Sequence, residues 1–149
     1  MQISTKFTIA VHLLTAVAYF SESQKVTSEF LAGSIGSNPV IIRNIMGQLK
    51  EAGLIDIKRG PGGVTLGKKL TDISFLDIYK AVETNSEEVL FRFHENPNPL
   101  CPIGRTIHKS LDGALEEIQK NFEVELSKWT LADVYENSLE ELRKEKQNE

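Results

Sequence analysis

The chain has 149 residues, room for one ordinary domain or a small domain with an appendage. An apolar fraction of 40% supports a packed core and excludes a disordered chain. The net charge of −4 hides a division: 8 Lys/Arg against 5 Asp/Glu through Asp72, then 9 against 16, so only the N-terminal part suits a polyanion.

In chain order, Phe7, Val11, Leu14 and Ala18 recur at helical spacing and predict a first helix that buries one face. The run Phe7 to Phe20, with Lys6 before it and Ala16-Val17-Ala18 near its end, also looks like a secretory leader. It is too short to span a bilayer and is interrupted by His12 and two threonines, so a cytoplasmic protein without membrane contact is expected. Thr27 can cap a short second helix with Glu29 in its first turn, burying Phe30, Leu31 and Ile35. Gly36-Ser37-Asn38-Pro39 combines a turn with a helix start: Asn38 as N-cap and Pro39 at the first helical position. The third helix then buries Ile42, Ile45, Met46 and Leu49 and stops at Gly53.

Leu54 to Arg59 alternates like a strand, Val64-Thr65-Leu66 can return, and Gly60-Pro61-Gly62-Gly63 is the turn between them. Two helices joined by a tight turn and followed at once by a hairpin read as a winged helix-turn-helix. Ser74-Phe75-Leu76-Asp77 is a capping box opening a helix with Leu76, Tyr79 and Val82 on its apolar side. Residues 85–100 read as irregular. From Pro102 a long helix of about 25 residues, or about 37 Å, is predicted, with Ile107, Leu111, Leu115, Ile118, Phe122, Leu126 and Trp129 as its stripe. Their spacing follows an eleven-residue repeat, which keeps the helix nearly straight. Such a helix exceeds what its own domain can cover, so these residues are expected to form the dimer interface of a homodimer. A shorter helix over 131–142 and a frayed polar tail close the chain.

The expected fold is therefore mainly α with a small β-hairpin wing. Residues 1–72 form a winged helix-turn-helix, 73–100 a connecting helix and irregular loop, and 101–149 the long dimerisation helix with a C-terminal helix. The third helix would enter the major groove of palindromic double-stranded DNA. Asn38, Val40, Arg43, Asn44 and Lys50 face away from its buried stripe. Arg43 can take both acceptors of guanine, Asn44 can pair with adenine, and Val40 can touch a thymine methyl. Ser4, Lys6 and Ser37 suit phosphate, and Lys58, Arg59 and Gly62 sit on the wing, toward the minor groove.

These segments together resemble the Rrf-type family of bacterial winged-helix transcriptional regulators. The likeness rests on Ser4-Thr5-Lys6, Thr27 to Ala32, Asn38-Pro39-Val40, Lys50 to Ile55, and the wing Arg59 to Gly63, and it runs on through the long helix. The resemblance implies a dimeric regulator, most often a repressor, on a palindromic operator. The best-known members hold an iron–sulfur cluster on three cysteines before the long helix. Here only the last is matched, by Cys101, so no cluster is expected and the chain resembles a cluster-lacking branch.

Cys101 is also the only cysteine, which excludes an internal disulfide framework. Placed as N-cap before Pro102, with Arg105 one turn on, it would be a stabilised thiolate and a sensor of oxidants or electrophiles. The blander alternative is a small residue closing a loop. His94, Cys101 and His108 make too scattered a set for zinc, and a Cys–His hydrolase needs an orienting group and a cleft besides. Gly62 to Lys68 misses a phosphate-binding loop, because Lys69 stands where Ser or Thr is needed. No enzyme activity, metal or cofactor is expected; an oxidant or small-molecule effector is. The rival class is a winged-helix adaptor that binds protein instead of DNA.

Overall fold

Side-chain caps set where most of the helices begin. The computed structural model describes residues 3–60, 62–83 and 90–149. Helix α1 (Thr5–Phe20) starts at Ser4, whose hydroxyl accepts from the Lys6 N–H. Helix α2 (Ser28–Ile35) starts at Thr27, whose hydroxyl accepts from the Phe30 N–H at 3.1 Å. Gly36, at φ +74°, ends it in the left-handed region that glycine enters without strain. Helix α3 (Pro39–Glu51) follows, with the Asn38 side chain accepting from the Val40 N–H at 2.8 Å and Pro39 at the first position.

The predicted stripe of α3 is the observed one: Ile42, Ile45, Met46 and Leu49 are buried. The stripe of α1 needs correction. Its fully enclosed residues are Ala10, Leu13, Leu14 and Val17; Phe7 and Val11 pack at the edge of the core, and Ala18 is only half-buried. The reason is topological. α1 is the central helix, contacted by α2, α3, by α4 and α6 (below) and by the wing, so more than one of its faces is covered.

Strands β1 (Ile55–Lys58) and β2 (Gly63–Leu66) pair antiparallel, with Ile55 opposite Leu66 and Lys58 opposite Gly63. The expected alternation fails after Ile55, since Asp56, Ile57 and Lys58 are all exposed. β2 takes the packed side of the hairpin, with Gly63 and Val64 buried, while Ile57 on β1 is left 38% exposed. Near its turn end the hairpin is tied to the loop before α2, the Val64 N–H donating to the Val26 carbonyl at 3.0 Å. Pro61 of the predicted turn lies outside the described residues, as do residues 85–89 of the predicted irregular stretch.

A 3₁₀ turn (Leu70–Asp72) leads to α4 (Phe75–Val82), opened by the predicted Ser74–Asp77 capping box. The long helix α5 spans Ile107–Ser127 and begins five residues after the predicted Pro102. Residues 102–106 close into turns, with the Thr106 hydroxyl donating to the Pro102 carbonyl at 2.8 Å. At 21 residues α5 is about 32 Å long. Trp129, predicted as the last residue of its stripe, lies beyond its end. Helix α6 (Leu131–Gln147) extends past the predicted Leu142 through most of the supposedly frayed tail. Glu, Lys and Arg are strong helix formers, a Glu141–Lys144 pair bridges one turn at 3.3 Å, and Lys144 and Lys146 suit the C-terminal dipole.

The α5–α6 corner is locked onto α4. The Phe75 N–H donates to the Trp129 carbonyl and the Leu131 N–H to the Ile73 carbonyl, both at 2.8 Å, and Trp129 stacks on Phe75. α6 then returns along α1. One core thus holds Leu13, Leu31 and Leu49 together with Ile73, Ile78 and Leu131. Leu131→Ala is expected to cost about 2–5 kcal/mol, because its side chain is fully enclosed and ties α6 to this core. Urea unfolding checks this; an unchanged midpoint would mean that α6 contributes nothing to the cooperative unit. Among the described residues no helix is long and apolar enough to cross a membrane.

Candidate nucleic-acid interface

Burying Ile42, Ile45, Met46 and Leu49 forces the other side of α3 outward. Val40, Arg43 and Asn44 are exposed there, one turn apart, and Gly47 continues the same face. Lys50, also exposed, lies off this line in the last turn. Two residues on this helix were not singled out from sequence. Gly47, seven positions after Val40, has open space where a Cβ would stand, so a duplex can approach the backbone closely. Ile41 is 45% exposed, an apolar group on the helix that carries Arg43 and Asn44. The i, i+3, i+4, i+7 offsets from Val40 carried the signal for Gly47.

Arg43 is not loose. Its guanidinium lies 3.4 Å from Glu29 on α2, so the two helices of the motif share an ion pair on their outer side. The Glu29 carboxyl is held below the usual carboxylate range by its own backbone N–H, by the Ser28 hydroxyl and by Arg43. It therefore stays anionic at neutral pH and keeps the fork of Arg43 turned toward α2. The Asn38 oxygen is engaged in the helix cap. Ser37 is half-buried in the turn, its N–H bonded to the Ala32 carbonyl. Ser4, expected on phosphate, donates its hydroxyl to Glu83 while capping α1; Lys6 beside it is exposed.

On the wing Lys58 and Arg59 are exposed at the tip. Gly62 packs so closely that a Cβ there would stand 2.7 Å from the Lys58 Cβ, so its lack of a side chain makes room for Lys58. Gly62 to Lys68 forms β2 and the turn after it, which disposes of the phosphate-loop reading.

The expected helix-terminus environment of Cys101 is absent. Cys101 is half-buried in a turn, its carbonyl accepting from the Arg105 N–H, and the N-cap of α5 is Thr106. The dipole argument for a stabilised thiolate does not apply to it. His94 and His108 do meet, with ring centroids 5.2 Å apart, and His108 also stacks on Phe93. Among the described residues no group of three or more His, Cys, Asp or Glu could hold a metal.

α5 buries none of its residues. Ile107, Leu115 and Leu126 are half-buried, while Leu111 and Ile118 are 37% and 46% exposed. Phe122 rests edge-on against Tyr79 of α4. The apolar stripe of α5 is thus left only partly covered within the chain, at Leu111 and Ile118 above all.

A model of the Rrf2 family, described as an iron-dependent transcriptional regulator, matches residues 3–137. YwnA of Bacillus subtilis, assigned as an HTH-type transcriptional regulator, is 39% identical over 132 residues, 89% of this chain and 96% of its own. YffB of Lactococcus lactis, assigned likewise, is 29% identical over 90% of this chain and 86% of its own. Among solved structures, one described as a DNA-binding protein is 32% identical with a TM-score of 0.69, covering 87% of this chain and 97% of its own. CymR, the global cysteine regulator of B. subtilis, shares the fold at 20% identity and a TM-score of 0.66, over 91% and 97% of the two chains. The iron of the family description meets a poor donor set here. One cysteine in the whole chain cannot supply the thiolates of an iron–sulfur cluster.

Proposed function

Because the chain belongs to the Rrf2 family of transcriptional regulators, we propose that it binds operator DNA as a homodimer and represses by occupancy. The exposed face of α3 carries this reading. Val40, Arg43, Asn44 and Gly47 line up on a rigid helix whose opposite side is fixed in the core. Arg43 reads guanine, Asn44 adenine, and the wing's Lys58 and Arg59 follow the adjacent minor groove. The incompletely covered stripe of α5, most open at Leu111 and Ile118, supplies the twofold contact. Two copies of α3 one helical turn apart, about 34–36 Å, then require a palindromic site. The protein performs no catalysis, works in the cytoplasm and needs no cluster. Cys101 acts as a loop residue that an oxidant could still modify, without the activation a helix terminus would give.

Salt titration of duplex binding tests the reading. Phosphate contacts release counterions, so affinity is expected to fall about a thousandfold or more between about 50 and 200 mM salt. Absence of duplex binding even at the lowest salt would overturn it and favour an adaptor that uses the same face on protein.

A further inference from the structure

A groove of about 960 Å³ runs between α1 and α6, with Ser34 of α2 also on its lining. That volume is in the range of small-molecule sites. Val11 and Tyr19 of α1 face Val134, Tyr135 and Leu142 of α6 across it. These apolar surfaces are incompletely covered: Tyr19 is 46% and Leu142 39% exposed. At the α2 end His12 is hydrogen-bonded to Ser34 at 3.1 Å. Among the described residues, the charged side chains lining the groove are Glu141 and Glu145, one turn apart on α6, and no Lys or Arg lines it. Lys144 pairs with one oxygen of Glu141 at 3.3 Å. The charge of Glu141 is largely offset by Lys144, so Glu145 carries most of the negative charge on the groove.

We propose that this groove binds a lipophilic organic cation, a small molecule with an aromatic body and one positive charge. The apolar walls remove the body from water, Tyr19 and Tyr135 offer aromatic rings to a cation, and the two glutamates disfavour an anion of equal shape. The charge argues equally against DNA. A second copy has its own surface: the exposed stripe of α5 does not line the groove. Ser34 sits on α2 two residues before the Gly36 turn into α3, so a ligand that spreads α6 from α1 presses on the helix that positions the reading head. This coupling rests on the operator reading; the binding does not.

The test uses tetraphenylphosphonium and tetraphenylborate, ions of the same shape and opposite charge, titrated calorimetrically into the full chain without DNA. The phosphonium is expected to bind once per chain, about tenfold or more tighter than the borate. E141Q/E145Q, both on the surface and harmless to the core, should erase that preference, and Tyr135→Leu should weaken the cation alone. Equal binding of both ions, phosphonium binding indifferent to all three substitutions, or none up to about 1 mM overturns the site. So does sedimentation showing the groove covered in the dimer, as cation binding that appears only on dilution to monomer. With duplex present, saturating phosphonium should change operator affinity about fivefold or more. Cation binding as described, with no duplex bound at low salt, would leave the groove standing and remove the operator reading.

Discussion

Arg43→Ala is expected to weaken operator binding by about 1–3 kcal/mol, roughly 5- to 150-fold, while binding to unrelated duplexes changes far less. The asymmetry follows from geometry. A bidentate fork on a base edge is worth its full value only at the right base, whereas a phosphate contact is worth the same everywhere. Arg43 sits in the middle of the exposed face of α3, and Glu29 holds it at 3.4 Å in the free protein. Glu29 must yield it on binding, so Glu29→Gln should not mimic Arg43→Ala; it frees the fork and is expected to tighten binding to all sequences by removing a negative charge near phosphate. Fluorescence anisotropy at one fixed salt concentration separates these outcomes. Equal loss on every sequence would mark Arg43 as a phosphate ligand.

Leu111→Glu with Ile118→Glu is expected to give a folded monomer that binds its operator at least about a hundredfold more weakly. Both side chains are exposed on α5, so the substitutions remove no core contact of the single chain. In a dimer they would bury like charges against each other without partners, a cost of several kcal/mol. Losing the twofold link also removes the millimolar effective concentration that lets the second half-site bind once the first has bound. Light scattering with circular dichroism checks the first claim and anisotropy the second. A dimer that survives both substitutions would place the interface elsewhere.

Much of the DNA-facing half was legible in the sequence because its signals are local. Thr27, Gly36, Asn38 and Pro39 each satisfy or terminate a helix end through bonds to their own neighbours, and Ser74 with Asp77 does the same for α4. The burial of α1 was not legible. A one-face stripe assumes one neighbour, and α1 has α2, α3, α4, α6 and β2 around it, a fact of tertiary arrangement. The start of α5 was missed because Pro102 is a good first helical residue, whereas the chain runs through turns at 102–106 and takes Thr106 as its N-cap. That shift moved Cys101 off the helix end. Glu29 as the partner of Arg43 was equally hidden, since 14 residues separate them and only the crossing of α2 and α3 brings them together. The groove between α1 and α6 arises from the return of a helix whose length the sequence pattern underestimated.

The central claim is that two copies of α3 read a palindrome, and selection of bound duplexes from a random pool at low salt tests it most directly. The predicted result is an inverted repeat with half-site centres about one helical turn apart, containing a guanine whose enrichment disappears when the selection is repeated with Arg43→Ala. No enrichment over the starting pool, or a single asymmetric half-site from a protein shown to be a dimer, would contradict the account.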